Sequence, residues 1–333
     1  MSHDVIAATA GQPRSVSLSR PVKVLLILGG LLLAAVIGFM TIGAKGSWDF
    51  VLPFRGTKVV AIALVGYAIA VSTVLFQTIS NNRILTPSIM GFDALYILLQ
   101  TMLVFTFGAQ RMVTIPPPLR FALEVVLMVG FASLLYRWLF GGARRSLHLL
   151  ILVGIIFGVL FRSLAGFMQR LIDPNEFAVL QDMLFASFNS FDRDLLVVSA
   201  VLVLLASAVA WRIRHTFDVL TLGREMAINL GLDYQRVVTI ILIVVTVLVA
   251  VSTALVGPVT FFGLLVANLA YQLTGTYKHR WVVPCAVMLS LLCLIGGQMV
   301  VERVFSFTTS LSIIVEFLGG IMFIILLIRG VTR

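Results

Sequence analysis

Val237 to Val256 reads VVTIILIVVTVLVAVSTALV, an unbroken apolar run without one charged side chain. About 20 such residues in an α-helix span the hydrocarbon core of a bilayer, so this stretch predicts a transmembrane helix. Nine further apolar runs lie at about 22–43, 57–80, 92–109, 119–140, 147–168, 193–211, 260–274, 282–299 and 311–328. Because the runs are continuous and do not alternate, they exclude a β-barrel and predict an all-α, polytopic membrane protein with about ten transmembrane helices.

The composition of the whole chain agrees with membrane insertion. Of its 333 residues, 60% are hydrophobic and only 11% are charged, whereas about a quarter of a soluble domain is charged. The net charge of +10 would suggest nucleic acid binding in a soluble protein. In a membrane protein it indicates basic cytoplasmic loops, so we expect the lipid bilayer as a partner and no nucleic acid.

Charge also predicts the orientation and the domain division. An even number of crossings places both termini on one side, and a cytoplasmic amino terminus puts fifteen of the 24 lysines and arginines inside and eight outside, with Arg162 within a span. Basic residues prefer cytoplasmic loops, so both termini are predicted to be cytoplasmic. Residues 1–21 read as a polar cytoplasmic tail and residues 22–333 as a single transmembrane domain.

The one sizeable inner connection, Arg212 to Arg236, is the stretch with a recognisable pattern. Leu222, Ala227 and Leu230 stand near helical spacing, and Gly223 and Gly231 are typical helix punctuation. This pattern predicts two short helices joined at Gly223 that form a compact knob on the cytoplasmic face. The alternative is a solvated amphipathic connector. No segment is long enough for a soluble ATPase or another catalytic fold, so we expect no catalytic residues, no metal site and no cofactor bound by the chain itself.

These residues resemble a family, the permeases of type II binding-protein-dependent ABC importers for ferric siderophores, haem and cobalamin. The family pattern L-G-x-x-A-x-x-L-G is matched by Leu222, Gly223, Ala227, Leu230 and Gly231. Further family patterns are matched in the same order by Arg55, Lys58, Gly66, Gln77, Asn82, Pro87, Gly91, Gly257 to Leu264, Gly275, His279, Arg280 and Pro284.

The resemblance implies a type II importer permease fold and a role as the translocation subunit, which is not itself an enzyme. It implies two ATPase subunits on the cytoplasmic face that use ATP and Mg²⁺, and a periplasmic or lipid-anchored substrate-binding protein. It also implies a second permease chain, either related or identical, in a bacterial inner membrane. The knob with Leu222, Gly223, Ala227, Leu230 and Gly231 would dock in a cleft of the ATPase.

The chain departs from the family pattern at several positions and resembles one branch of the family near its carboxyl terminus. Asn81 and Arg83 replace the usual arginine and proline around Asn82, and Tyr271 stands where many members have arginine. The stretch VERVFSFTTSLSIIVEFLGG, residues 301–320, is similar to a branch that serves catecholate or mixed-ligand siderophores such as petrobactin and anguibactin. The expected function is therefore import of an iron(III)–siderophore complex, with haem or cobalamin as the alternative within the family.

Basic residues at the outer side are candidates for docking the substrate-binding protein. Arg55 and Lys58 are one helical turn apart and can form one positive patch, and Arg303 precedes the last span. The resemblance implies that they meet acidic residues of the binding protein, where charge pairs steer encounter. Anchoring to lipid head groups is the alternative for all three.

Polar residues within spans are candidates for the translocation path: Gln77, Asn82 and Arg162. Arg162 could instead pair with Glu124 or reach the interface. A secondary transporter is the rival class, and it usually buries carboxylates near the middle of the membrane. Asp93, Glu124 and Glu316 are predicted toward span ends, which disfavours that class. A membrane-embedded enzyme is a third class, but the sequence offers no nucleophile–base pair or metal-ligand spacing that would support it.

Overall fold

A computed structural model describes residues 19–43, 47–112, 114–140, 147–188, 193–306 and 309–328. These residues are helical, with no strand among them. The helices are α1 (Arg20–Thr41), α2 (Trp48–Ser80), α3 (Phe92–Phe107), α4 (Ala109–Met112), α5 (Pro117–Phe140), α6 (Leu147–Gln169), α7 (Pro174–Leu184), α8 (Arg193–Arg212), α9 (Phe217–Leu220), α10 (Arg224–Asn229), α11 (Tyr234–Val256), α12 (Phe262–Thr274), α13 (His279–Arg303) and α14 (Leu311–Ile328). Two 3₁₀ helices lie at Pro87–Met90 and Arg214–Thr216.

The ten predicted spans correspond to ten of these helices. In the described chain, seven helices are long and apolar enough to cross a membrane, and α3, α12 and α14 are shorter apolar helices. The all-α prediction is therefore confirmed. The tail and domain division stay predictions, since residues 1–18 lie outside the described part, as do Lys45, Arg144, Arg145, Arg329 and Arg333 of the charge count.

Helices α2 and α11 form the centre of the bundle, and α13 packs against α2. Within their most apolar windows, 67% of α2 and 72% of α11 is buried by the rest of the chain, against 11% of α1. A helix that is apolar on all sides belongs in a core or in lipid. The large uncovered side chains of α1, such as Leu26, Leu31 and Leu33, are therefore suited to lipid.

Two helices begin inside the bundle rather than at its surface. The 13 residues of α12 extend roughly 20 Å, which is short of the roughly 30 Å hydrocarbon core. Just before α12, Thr260 donates its Oγ1 hydroxyl to Oδ2 of Asp93 at 3.0 Å. Asp93 is in the first turn of α3 and is buried. The sequence places Asp93 toward the end of a span, but the early start of α12 encloses it.

Glycines allow the closest approach of backbones. Gly91 has a φ of +86°, and a Cβ there would lie 3.0 Å from Cα of Gly158 on α6. A Cβ at Gly154, one turn earlier, would lie 3.0 Å from Cα of Met90. Only glycine combines this approach with a left-handed backbone, so α6 packs directly against the 3₁₀ helix before α3.

Candidate functional site

The segment from Arg212 to Arg236, here called the knob, projects from one end of the bundle. It contains the 3₁₀ turn at Arg214–Thr216 followed by the short helices α9 and α10, which flank Gly223. The predicted pair of short helices joined at Gly223 is thus present. We call this end of the bundle the inner end and the opposite end the outer end.

Two glycines set the shape of the knob. Gly223 has φ +91° and ψ 169°, a region open essentially to glycine alone. Gly231 has φ +83°; its N–H bonds to the carbonyl of Ile228 at 2.9 Å, and the N–H of Leu232 bonds to the carbonyl of Ala227 at 3.0 Å. This pair of bonds is the Schellman arrangement that ends a helix at glycine. Both glycines are therefore required by the backbone.

The knob presents apolar side chains outward. Leu222, Met226, Ile228 and Leu230 are exposed, Leu230 by 63%, whereas Ala227 is fully buried. Outside the membrane, a group of large exposed apolar side chains is typical of a protein interaction site. The geometry thus favours a docking surface over a solvated connector.

A hydrogen-bonded chain ties the knob to the bundle. Oδ1 of Asp218 accepts from the backbone N–H of His279 at 2.9 Å and lies 2.7 Å from its ring Nδ1. The other ring nitrogen lies 2.7 Å from Oγ1 of Thr78 near the end of α2. Burial raises the pKa of Asp218, but the hydrogen bonds from His279 and the charges of His279 and Lys278 outweigh it and lower that pKa below its ordinary value. These bonds therefore connect the knob to both α2 and α13.

At the outer end, the Arg55 guanidinium caps α1. It donates to the carbonyls of Phe39 at 2.6 Å, Ile42 at 3.0 Å and Gly43 at 3.1 Å. A cation at a helix carboxyl terminus satisfies free carbonyls and complements the helix dipole. Arg303 is exposed and packs directly against Gly43 beside this cap.

Lys58 lies deeper than the sequence suggests. It is 7% exposed, and its Nζ is 3.1 Å from Oε1 of Glu302 on α13. The same oxygen accepts from Nε2 of Gln298 at 3.0 Å. Arg55 and Lys58 thus do not form the free positive patch expected from their spacing, because each has partners within the chain. Their docking role stays a prediction, with Arg303 as the exposed member of the three.

The predicted path residues divide between two places. Gln77 and Asn82 line one cavity of about 610 Å³ at the inner end, beside Leu222 of the knob. Arg162 lies away from them, on an uncovered face of α6. The suggested pairing of Arg162 with Glu124 is wrong, because the buried Glu124 pairs with Arg120 one turn earlier at 3.2 Å. It also accepts from Nε2 of Gln100 at 2.6 Å.

A second cavity, of about 450 Å³, opens at the outer end. Its wall combines Arg120, Asp182, Ser187 and Gln298 with apolar residues from the ends of α7 and α11. Ser187 joins the segment after α7 to the end of α11, because its N–H bonds to the carbonyl of Val256 at 2.8 Å. One chain therefore has a cavity with polar side chains in its wall at each end of its helix bundle.

Arg83 and Tyr271, which in sequence are only departures from the family pattern, lie together in the structure. In the structure, the guanidinium carbon of Arg83 lies 4.9 Å from the ring centre of Tyr271 and 4.5 Å from that of Tyr277. All three line the inner cavity. The signal that could have found them is the six-residue spacing of the two tyrosines around the end of α12, facing the loop after α2.

The chain is similar to known transport proteins along most of its length. The model of the FecCD transport family matches residues 23–329. The chain is 52% identical to "Petrobactin import system permease protein YclO" of Bacillus subtilis over 92% of this chain and 97% of that relative. It is 37% identical to "Petrobactin import system permease protein FatC" of Bacillus anthracis over 83% of this chain and 78% of the relative.

A solved structure shows the same fold. It is described as a metal-chelate type ABC transporter in an inward-facing conformation, and it superimposes with a TM-score of 0.81 over 93% of this chain and 99% of its own. The sequence identity across this superposition is 22%.

Proposed function

The chain belongs to the FecCD transport family, and from that premise we propose that it is the membrane-spanning permease subunit of an ATP-driven importer for an iron(III)–siderophore complex. The observation that carries the proposal is the match to a petrobactin permease at 52% identity along 97% of that relative. The chain is a transport subunit, and ATP hydrolysis belongs to a separate subunit.

The substrate that the comparisons favour is a ferric siderophore of the petrobactin type. Two relatives named for petrobactin import match at 52% and 37% identity, whereas a vitamin B12 permease of Vibrio parahaemolyticus matches at 25%. The branch indicated by residues 301–320 agrees with this order. Haem and cobalamin are therefore less favoured cargoes.

A competition experiment tests the substrate. Cells that lack their own siderophore permeases and express this chain with its neighbouring transport genes should take up ⁵⁵Fe–petrobactin. Excess gallium–petrobactin should suppress this uptake, whereas excess haem or cobalamin should not. Suppression by cobalamin or haem alone would contradict the assignment.

In the proposed assembly, this multi-pass chain lies in the bacterial inner membrane with both termini in the cytoplasm. It pairs with a second permease, which we propose to be a related chain rather than an identical copy. The pair lies above two ATPase subunits that use ATP and Mg²⁺. A periplasmic or lipid-anchored binding protein delivers the chelate to the outer end, where Arg303 is the exposed basic contact beside the α1 cap.

The proposed coupling runs through the knob. Leu222, Met226 and Leu230 fill a cleft of the ATPase, and Gly223 and Gly231 hold them in position. Closure of the ATPase pair moves the knob, and the bonds from Asp218 through His279 to Thr78 carry that motion to α13 and α2. The chelate passes from the outer cavity toward the inner cavity at Gln77 and Asn82.

Two pairs of variants test the two docking faces. Leu230→Asp should abolish co-purification with the ATPase, whereas Arg280→Asp, exposed on α13 at the inner end but outside the knob, should not. Arg303→Glu should slow association with the binding protein, mostly at low salt, whereas Arg111→Glu, at an exposed position of α4, serves as the control. Equal effects within either pair would refute that docking face.

A further inference from the structure

We infer that the inner cavity holds an exit subsite in which Arg83, set against Tyr271 and Tyr277, binds an anionic, oxygen-rich iron chelate before it enters the cytoplasm. This inference rests on the proposed function for the identity of the chelate. The binding chemistry itself comes from the side chains that line the cavity.

The Arg83 guanidinium is positioned but has its donors free. Two tyrosine rings hold it at 4.9 and 4.5 Å, and the backbone carbonyl of Arg83 accepts from Nε2 of Gln77 at 2.7 Å and from Nδ2 of Asn268 at 3.0 Å. Among the described residues, no carboxylate or carbonyl accepts a hydrogen bond from the side chain of Arg83, whose contacts are the two tyrosine rings. Arginine offers five N–H donors in a planar fork that matches carboxylate and catecholate oxygens. Held in this way, the fork is ready for an anion.

The rest of the wall offers amide and hydroxyl groups beside Ile84 and Leu222, and it carries no negative charge among the described residues. Amide groups of Gln77, Asn81 and Asn82 line the cavity, and no acidic residue of the described chain lines it. Gln77 is only 3% exposed, and its Oε1 is buried without a hydrogen-bond partner among the described residues. A buried polar atom of this kind needs a partner, and a turn of the Gln77 amide toward the cavity would let a donor on the ligand supply one.

The size and the aromatic wall favour an aromatic chelate over a small inorganic anion. The cavity encloses about 610 Å³, within the range of about 300–1,000 Å³ that is typical of small-molecule sites. The tyrosine rings offer faces or edges to a catecholate ring. A phosphate ion would leave most of this volume unfilled.

The position of the site links occupancy to the knob. Thr221 and Leu222, in the turn before Gly223, form one side of the cavity, and a Cβ on Gly223 would lie 3.8 Å from Nδ2 of Asn81. When the knob moves, this wall moves with it. The subsite therefore opens or closes with the ATPase cycle, which lets a bound chelate leave.

Equilibrium dialysis of the purified complex in nanodiscs, without ATP, tests the subsite with ⁵⁵Fe–petrobactin as the probe. Arg83→Gln should weaken binding about tenfold, the typical effect of losing a charge-assisted contact, and Arg83→Lys should weaken it less. The matched control is Arg280→Gln, since Arg280 is at the same end and stacks on Trp281 at 5.0 Å but does not line the cavity. The unfolding temperature of each variant shows whether it is folded.

Three results would overturn the inference: unchanged binding by folded Arg83→Gln, equal loss in Arg280→Gln, or displacement of the chelate by equimolar phosphate or citrate. Absence of binding to the wild type, in a complex that transports the chelate, would overturn it as well. Failure of the wild-type complex to transport ferric petrobactin at all is a different result, because it contradicts the proposed function.

Discussion

Replacing the two glycines of the knob separates backbone conformation from packing. A Cβ at Gly223 would meet only Nδ2 of Asn81 at 3.8 Å, and a Cβ at Gly231 would meet nothing within 4 Å. Neither alanine variant therefore creates a clash, and its whole effect is the strain of a positive φ. This strain is about 1–3 kcal/mol at Gly223, whose region excludes other residues, and about 1–2 kcal/mol in the left-handed helical region of Gly231.

Relief of this strain moves the turn that positions Leu222 and Met226. If the whole strain energy is lost from the free energy of ATPase binding, Gly223→Ala should weaken that binding about five- to 150-fold. Gly231→Ala should weaken it less, and Gly231→Asn least, because asparagine tolerates the left-handed region. The control is Gly130→Ala on α5, where a Cβ also meets nothing within 4 Å and alanine favours the helix.

Titration of the ATPase subunit onto each permease variant in nanodiscs gives the four affinities. The order of weakening should be Gly223→Ala, then Gly231→Ala, then Gly231→Asn, with Gly130→Ala equal to the wild type. Wild-type affinity for folded Gly223→Ala would refute the reasoning that its backbone shapes the docking surface.

Three further predictions concern the stability of the purified chain. Lys58→Met leaves the carboxylate of Glu302 without its cation, so the free energy of unfolding should fall by about 3–5 kcal/mol. The double variant Lys58→Met with Glu302→Leu should largely restore it. The pKa of Asp218 is lowered in the folded chain, so its bonds to His279 should stabilise the chain fully at pH values above the ordinary aspartate pKa of about 3.9. This stabilisation should be lost as the pH falls through the lower pKa of the folded state. Asp218→Asn should flatten this part of a plot of unfolding temperature against pH. Gly158→Ala should reduce the unfolding temperature, since its Cβ would lie 3.2 Å from backbone at the start of α3; an unchanged temperature would contradict that contact.

The number and approximate ends of the long helices could be predicted from sequence because hydrocarbon thickness fixes the length of an apolar run. The interior starts of α3 and α12 could not. They depend on Thr260 meeting Asp93, which is 167 positions away in the chain. The fold encloses this carboxylate through tertiary contacts that no local pattern records.

The candidate site shows the same division. Gly223 and Gly231 were predictable because a glycine beside a short apolar pattern reports a local backbone need. Arg55 and Lys58 are one turn apart in sequence, but their partners come from α1 and from Glu302, 244 positions beyond Lys58. Spacing gives the direction of a side chain along its own helix, and it does not give the neighbour that the side chain meets.

The central claim is that ATP, used by a partner subunit, drives an iron–siderophore complex through this permease. The buried carboxylate of Asp93 makes the energy source the decisive question, because ion-coupled transporters use such groups. The most direct measurement is uptake of ⁵⁵Fe–petrobactin into proteoliposomes that contain the two permeases, the ATPase and the binding protein. With Na⁺ and H⁺ gradients collapsed by ionophores, the account predicts full uptake with ATP and Mg²⁺ and none with a non-hydrolysable analogue. Uptake that follows an imposed ion gradient and ignores ATP would contradict it.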